Sequence, residues 1–209
     1  MEKLIIKVCG LKYGYNCMEV ERLPVDLLGF IFYRGSRRYA GSSTEDDLFN
    51  RTKPKVAVFV DEIPDRVNEI AGENRFEYVQ LHGKEKPQAC SFLMQKGFKV
   101  IKAFNINSSF DFKELDAYQG RVDYLLFDTK TDLHGGSGKK FNWELLERYT
   151  GSTPFILSGG IGPGDVTELK KIRHKQLSGI DLNSSFEEKP GLKSIEKLRV
   201  FLAEIRGDF

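Results

Sequence analysis

Short apolar runs recur along the chain at intervals of roughly 20 to 30 residues. They are LIIKVC (4–9), LGFIFY (28–33), KVAVFV (55–60), EYVQLH (77–82), KVIKAF (99–104), YLLFDT (124–129), PFILSG (154–159) and SGIDLN (178–183). Most are nearly continuous in apolar residues, the pattern of strands covered on both faces. Each run predicts one strand.

Helical periodicity fills the gaps. PDRVNEIAGE (64–73) sets Val67 and Ile70 on one face, with Pro64 suited to a first turn. KPQACSFLMQKG (86–97) ends at Gly97, a helix-stopping residue. FNWELLERYTG (141–151) and GDVTELKKIR (164–173) read as amphipathic helices, and PGLKSIEKLRVFLAEIR (190–206) as the longest. Its expected apolar stripe is Leu192, Ile195, Leu198, Phe201, Leu202 and Ile205.

Strand-then-helix units in series argue for a parallel sheet. A closed barrel and an open doubly wound sheet both satisfy the pattern. A barrel needs eight units and at least about 200 residues. The 209 residues here therefore predict an α/β fold, a single (βα)8 TIM barrel with eight parallel strands, with 1–209 as one domain. No linker or low-complexity stretch divides the chain.

Composition narrows the function. A net charge of +2, with no run of five like charges, gives no footprint for nucleic acid or an acidic membrane. No run of about 18 apolar residues exists to span a bilayer, and the start MEKLIIKVCG is not a secretory leader. The three cysteines, Cys9, Cys17 and Cys90, are odd in number and lack metal spacing. They suit a reducing cytoplasm. His82, His134 and His174 show no ligand spacing either, so no metal is expected, and His174 reads as a surface helix residue. Cys17 and Cys90 fall in helical patterns and read as packing residues.

The chemistry-bearing residues lie where apolar runs end: Cys9, Arg38 just beyond the second run, Gln80 and His82, Asp128, Ser158 and Asp181. In a barrel these are C-terminal strand ends, where active sites are built. Cys9 alone is either a packed strand residue or a reactive thiol. Asp128 is either a structural acid or a general acid–base group tuned by an apolar mouth. LSGGIGPGD (157–165) follows the seventh run; it is either a tight turn or an anion cradle whose glycines let backbone N–H groups approach a phosphate at a helix start. The segment after the eighth run adds Asn183, Ser184 and Ser185 as donors. LHGGSGK (133–139) reads equally as a flexible turn or a lid. Lys7 lies two residues before Cys9 on the same strand face. It suits either a thiolate or a carboxylate partner.

KVCG, GFIFYRGSRRY, VQLHG, LLFDT…GGSGKKFNW, FILSGGIGPGDV and GIDLNSSFEEKPG, in this order, resemble the phosphoribosylanthranilate isomerases of tryptophan biosynthesis. The resemblance implies a (βα)8 barrel catalysing an Amadori rearrangement without metal or organic cofactor, acting in the cytoplasm as a monomer or homodimer on a small phosphosugar–anthranilate substrate. It implies Cys9 as general base and Asp128 as general acid. Arg38, Asp181, Gln80 and His82 would bind substrate, and Gly159, Gly160, Asn183 and Ser184 its phosphate. In the loaded site the Cys9 thiol would be lowered and the Asp128 carboxyl raised. Four positions depart from the family pattern: Lys12, Arg37, Asn142 and Ser185, the last standing where glycine is frequent and so restricting the phosphate loop. Other sugar-phosphate barrel enzymes are the nearest rivals, and a thiol-redox module or a non-catalytic phosphate binder are more distant ones.

Overall fold

The computed structural model describes residues 4–42, 48–128 and 143–207. All eight predicted strands form: β1 (Ile5–Val8), β2 (Leu27–Ile31), β3 (Lys55–Phe59), β4 (Tyr78–Leu81), β5 (Lys99–Asn105), β6 (Tyr124–Asp128), β7 (Phe155–Ser158) and β8 (Leu177–Leu182). They pair in sequence order, and β8 closes on β1 with Ile5 to Val8 opposite Gly179 to Leu182. Closure excludes the open doubly wound sheet.

Alternation along each strand separates two apolar regions across the barrel wall. Outward residues such as Ile6, Val8, Leu28, Phe30, Phe127 and Phe155 join the helices in the larger core. Inward residues Cys9, Leu27, Val56, Val58, Ile101, Ala103, Leu126 and Ile156 form a smaller one inside. Lys7, Gln80, Asp128, Ser158 and Asp181 share these inward rows and are likewise buried.

The helices are α1 (Gly14–Glu21), α2 (Pro64–Glu73), α3 (Pro87–Gln95), α4 (Val166–Leu169) and α5 (Ile195–Arg206). Cys17 on α1 and Cys90 on α3 are fully buried packing residues. Three expected helices are corrected, and with them the placement of His174. The helix expected over 164–173 is a 3₁₀ turn, Pro163–Asp165, followed by the single turn of α4. His174 lies beyond it, half-buried and stacked on Tyr149, with Nε2 3.0 Å from the Tyr149 carbonyl oxygen. The segment expected as helix over 141–151 is described only from Trp143, where it is a 3₁₀ helix to Arg148.

The third correction bears on the site. The helix expected from residue 190 begins at Ile195 because Leu192 and Lys193 form β10, which pairs antiparallel with β9 (Glu187–Lys189). Gly191 makes the turn at φ +88°. The buried Asn16 side chain staples this ribbon to α1 by accepting from Lys193 N at 2.7 Å and donating to Lys193 O at 2.9 Å.

Candidate active site

Cys9 continues the inward row of Ile5 and Lys7 one step past β1, and only 3% of it is exposed. Its neighbour Gly10 has φ +80°, and a Cβ there would stand 2.7 Å from Arg38 Cδ and 2.8 Å from Asn183 Oδ1. Gly29 on β2 is equally constrained, since a Cβ would lie 2.9 Å from the Cys9 sulfur. Two glycines thus make room for the thiol and the arginine beside it.

Lys7 meets both partners expected of it, the carboxylate by a direct ion pair and the thiol through its charge. Its Nζ donates to Asp181 Oδ2 at 3.0 Å, with both side chains buried. Burial lowers the Lys7 affinity for protons, but the charges of Asp181 and Cys9 outweigh it and the net shift is upward. Burial pushes the Cys9 thiol up, Lys7 and Lys193 pull it down, and Asp181 opposes them; the net direction is up. In the free protein the Cys9 thiol is therefore favoured over the thiolate, and the physical cause is desolvation of the thiolate in the closed interior. The lowering expected of Cys9 belongs to the substrate-loaded site.

Arg38 is half-buried beside this cluster. Its guanidinium grips Glu187 in a two-pronged pair, Nε to Oε1 at 2.8 Å and Nη2 to Oε2 at 2.6 Å. Lys193 Nζ donates to the same carboxylate at 2.8 Å and to Asn183 Oδ1 at 2.9 Å. Gly191 N adds a third donor to Glu187 at 3.0 Å. Burial raises the Glu187 carboxyl, but Arg38, Lys193 and the Gly191 N–H outweigh that and bring it below the usual range.

On the other side of the mouth, Asp128 ends β6. Its Oδ2 lies 3.2 Å from His82 Nε2, and His82 Nδ1 lies 2.8 Å from Gln80 Nε2. Gln80 Oε1 and Asp181 Oδ1 are buried acceptors with no partner among the described residues.

The two expected phosphate segments come together. Gly159 and Gly160 adopt φ +86° and +67°, and a Cβ on Gly162 would sit 3.7 Å from the Ser185 side chain. Ser185 lies within a 3₁₀ turn, Ser184–Phe186, and is absent from the positive-φ residues, so a side chain fits where glycine is frequent. The helix-start argument is weaker than expected. Asp165 Oδ2 accepts from Gly162 N at 2.7 Å, and α4 is a single turn. Asn183 differs too, with its side-chain oxygen committed to Lys193. The segment 133–139, His134 and Asn142 lie outside the described residues.

The model of the family described as N-(5'phosphoribosyl)anthranilate (PRA) isomerase matches residues 6–204. The chain belongs to this family. A phosphoribosylanthranilate isomerase from Parabacteroides distasonis is 44% identical over 206 residues, covering 97% of this chain and 93% of the relative. One from Phocaeicola vulgatus is 40% identical, covering 97% and 98%. Among solved structures, the phosphoribosyl anthranilate isomerase of Thermotoga maritima superposes with TM-score 0.83 at 29% identity, over 98% of this chain and all of that one. The enzyme of Thermus thermophilus does so with TM-score 0.77 at 30% identity, over 96% and 98%.

Every expected isomerase-site residue among 1–209 is described and lies at the C-terminal mouth or in the inward rows, with Cys9, Lys7, Asp181 and Arg38 in one cluster and Gln80, His82 and Asp128 in another. Sequence reading missed Glu187, Lys193 and Gly29. Glu187 and Lys193 sit in a segment that reads as a solvated loop and helix start. The signal available was a lysine and a glutamate flanking the sharp turn at Gly191.

Proposed function

We propose that this barrel isomerises N-(5'-phosphoribosyl)anthranilate to 1-(2-carboxyphenylamino)-1-deoxyribulose 5-phosphate, with Cys9 as base and Asp128 as acid. The observation that carries the residue roles is that both side chains end inward rows of the same closed barrel, on strands three steps apart through β8 and β7. They can therefore address one sugar from two directions.

Asp128 protonates the furanose ring oxygen. The C1′–O bond breaks as the anilino nitrogen lone pair forms C1′=N, giving the ring-opened Schiff base. In the loaded site Cys9 gives up its thiol proton to solvent, and the resulting thiolate removes the C2′ proton; the C2′–H bond electrons make C1′=C2′ while the iminium returns to an amine. The enolamine tautomerises to the aminoketose. General acid–base steps of this kind contribute about 10²- to 10⁴-fold each. Arg38, held by Glu187, offers its remaining N–H groups to the anthranilate carboxylate, a planar match of the kind arginine makes best. The unpartnered Oδ1 of Asp181 fits a sugar hydroxyl donor. Gly159, Gly160, Asn183 and Ser184 form the phosphate end.

The reading takes 1–209 as one catalytic domain working in the cytoplasm. Among the described residues, no helix is long and apolar enough to cross a membrane, and the free thiols Cys9, Cys17 and Cys90 suit a reducing compartment. The chain acts as a monomer or homodimer; a solved relative from Thermotoga maritima is described as dimeric. Loss of phosphoribosylanthranilate fluorescence on addition of purified protein tests the activity. No loss above the uncatalysed rate would sink it.

A further inference from the structure

Resting on that reading, we infer that Gln80 is a positioning residue that acts through His82 to place the acidic proton of Asp128. The three side chains form a chain across the barrel mouth, Gln80 Nε2 to His82 Nδ1 at 2.8 Å and His82 Nε2 to Asp128 Oδ2 at 3.2 Å.

An amide N–H only donates, so Gln80 makes Nδ1 of His82 the acceptor and leaves the imidazole proton on Nε2. That N–H points at Oδ2 of Asp128 and donates to it. With Oδ2 occupied as an acceptor, the proton of the acidic form sits on Oδ1, the oxygen left for the substrate. When Oδ1–H passes its proton to the ring oxygen, its O–H bond electrons remain on the carboxylate, which the His82 N–H already solvates. No heavy atom rearranges during the step, the condition under which a preset donor lowers a barrier.

The wall of the barrel is shaped to let the chain form. Gln80 and His82 follow Tyr78 in the inward row of β4, and Asp128 ends the inward row of β6, two strands away. Along the intervening strand Ile101 stands opposite Gln80 and Asn105 opposite Asp128, with Ala103 between them in the inward row. Gln80 is 1% exposed, so its amide is fixed in the packed interior.

Histidine ¹⁵N spectra of the free, labelled protein test this without reference to activity. The His82 signals, assigned by their loss in His82→Gln, should show the neutral Nε2–H tautomer. Gln80→Met, of similar volume but with no donor, should give a tautomer mixture. It should lower kcat about tenfold, the scale of one hydrogen bond, and leave KM within about twofold. In a His82→Gln background the same Gln80→Met change should cost nothing more, because its route is gone. An Nδ1–H tautomer in the wild type, an unchanged tautomer in Gln80→Met, or additive losses in the double variant would each overturn the inference. A wild-type protein with no isomerase activity would instead refute the function, whatever the spectra show.

Discussion

Lys7 and Asp181 face each other across the β1–β8 seam, 3.0 Å apart and both buried beneath Cys9. Removing one member of such a pair strands a charge at a cost of about 3–5 kcal/mol, whereas replacing both by apolar groups is often neutral. Lys7→Met should therefore destabilise strongly, and Lys7→Met/Asp181→Leu should recover most of the loss. Urea unfolding midpoints measure both, and an additive double variant would show that the pair is not coupled.

The same pair acts on Cys9 with opposite signs. Lys7 favours the thiolate and Asp181 disfavours it. Alkylation of the wild type should titrate above the ordinary thiol range. Lys7→Met should move the curve further up and Asp181→Asn should move it down. Cys17 and Cys90 are fully buried as well, so the part of the iodoacetamide uptake that is lost in Cys9→Ala reports Cys9. A curve that ignores both changes removes the pair from the account of the base.

Cys9→Ala and Asp128→Asn should each lower kcat by about 10² or more while the circular dichroism spectrum is retained. Near wild-type turnover in either would show that its role is assigned wrongly.

Gly29→Ala introduces a single methyl 2.9 Å from the Cys9 sulfur. Overpacking of this kind costs about 1–3 kcal/mol. A displaced base loses catalysis steeply, up to about 10²-fold for a shift of about 1 Å. The variant should fold, with reduced Tm and with kcat lowered more than KM is changed. Steady-state kinetics decide it.

Glu187→Gln should weaken the seat of Arg38 and raise KM for phosphoribosylanthranilate by about tenfold, the worth of one charged hydrogen bond. Stability gives a second readout. The folded Glu187 carboxyl lies below its ordinary value, so its contribution is complete above the unfolded carboxylate range and is lost as pH falls through the lower folded value. The stability gap between wild type and Glu187→Gln should be present at neutral pH and shrink as the solution is acidified below about pH 4. A gap constant with pH would show that the charge is not what holds the ribbon.

The eight strands, helices α2 and α3, and the strand-end positions of Cys9, Asp128 and Asp181 were legible in the sequence. Short-range hydrophobic period and strand-end placement depend on neighbouring residues alone. What tertiary structure decided involves residues far apart in the chain. Closure of β8 on β1 brings Asp181 to Lys7, 174 positions away, and burial there turns Cys9 into a held thiol rather than a ready thiolate. The helix start at 190–194 failed because Lys193 finds acceptors on Asn183 and Glu187 that a local helix would not supply. Its desolvated ammonium needs those partners more than the helix needs one further turn. The Gln80–His82–Asp128 chain likewise exists only because the barrel wall brings β4 and β6 to one mouth. Periodicity thus determined which residues turn inward, and three-dimensional closure decided which of them meet, because the energy of a buried charge depends on partners that no local pattern records.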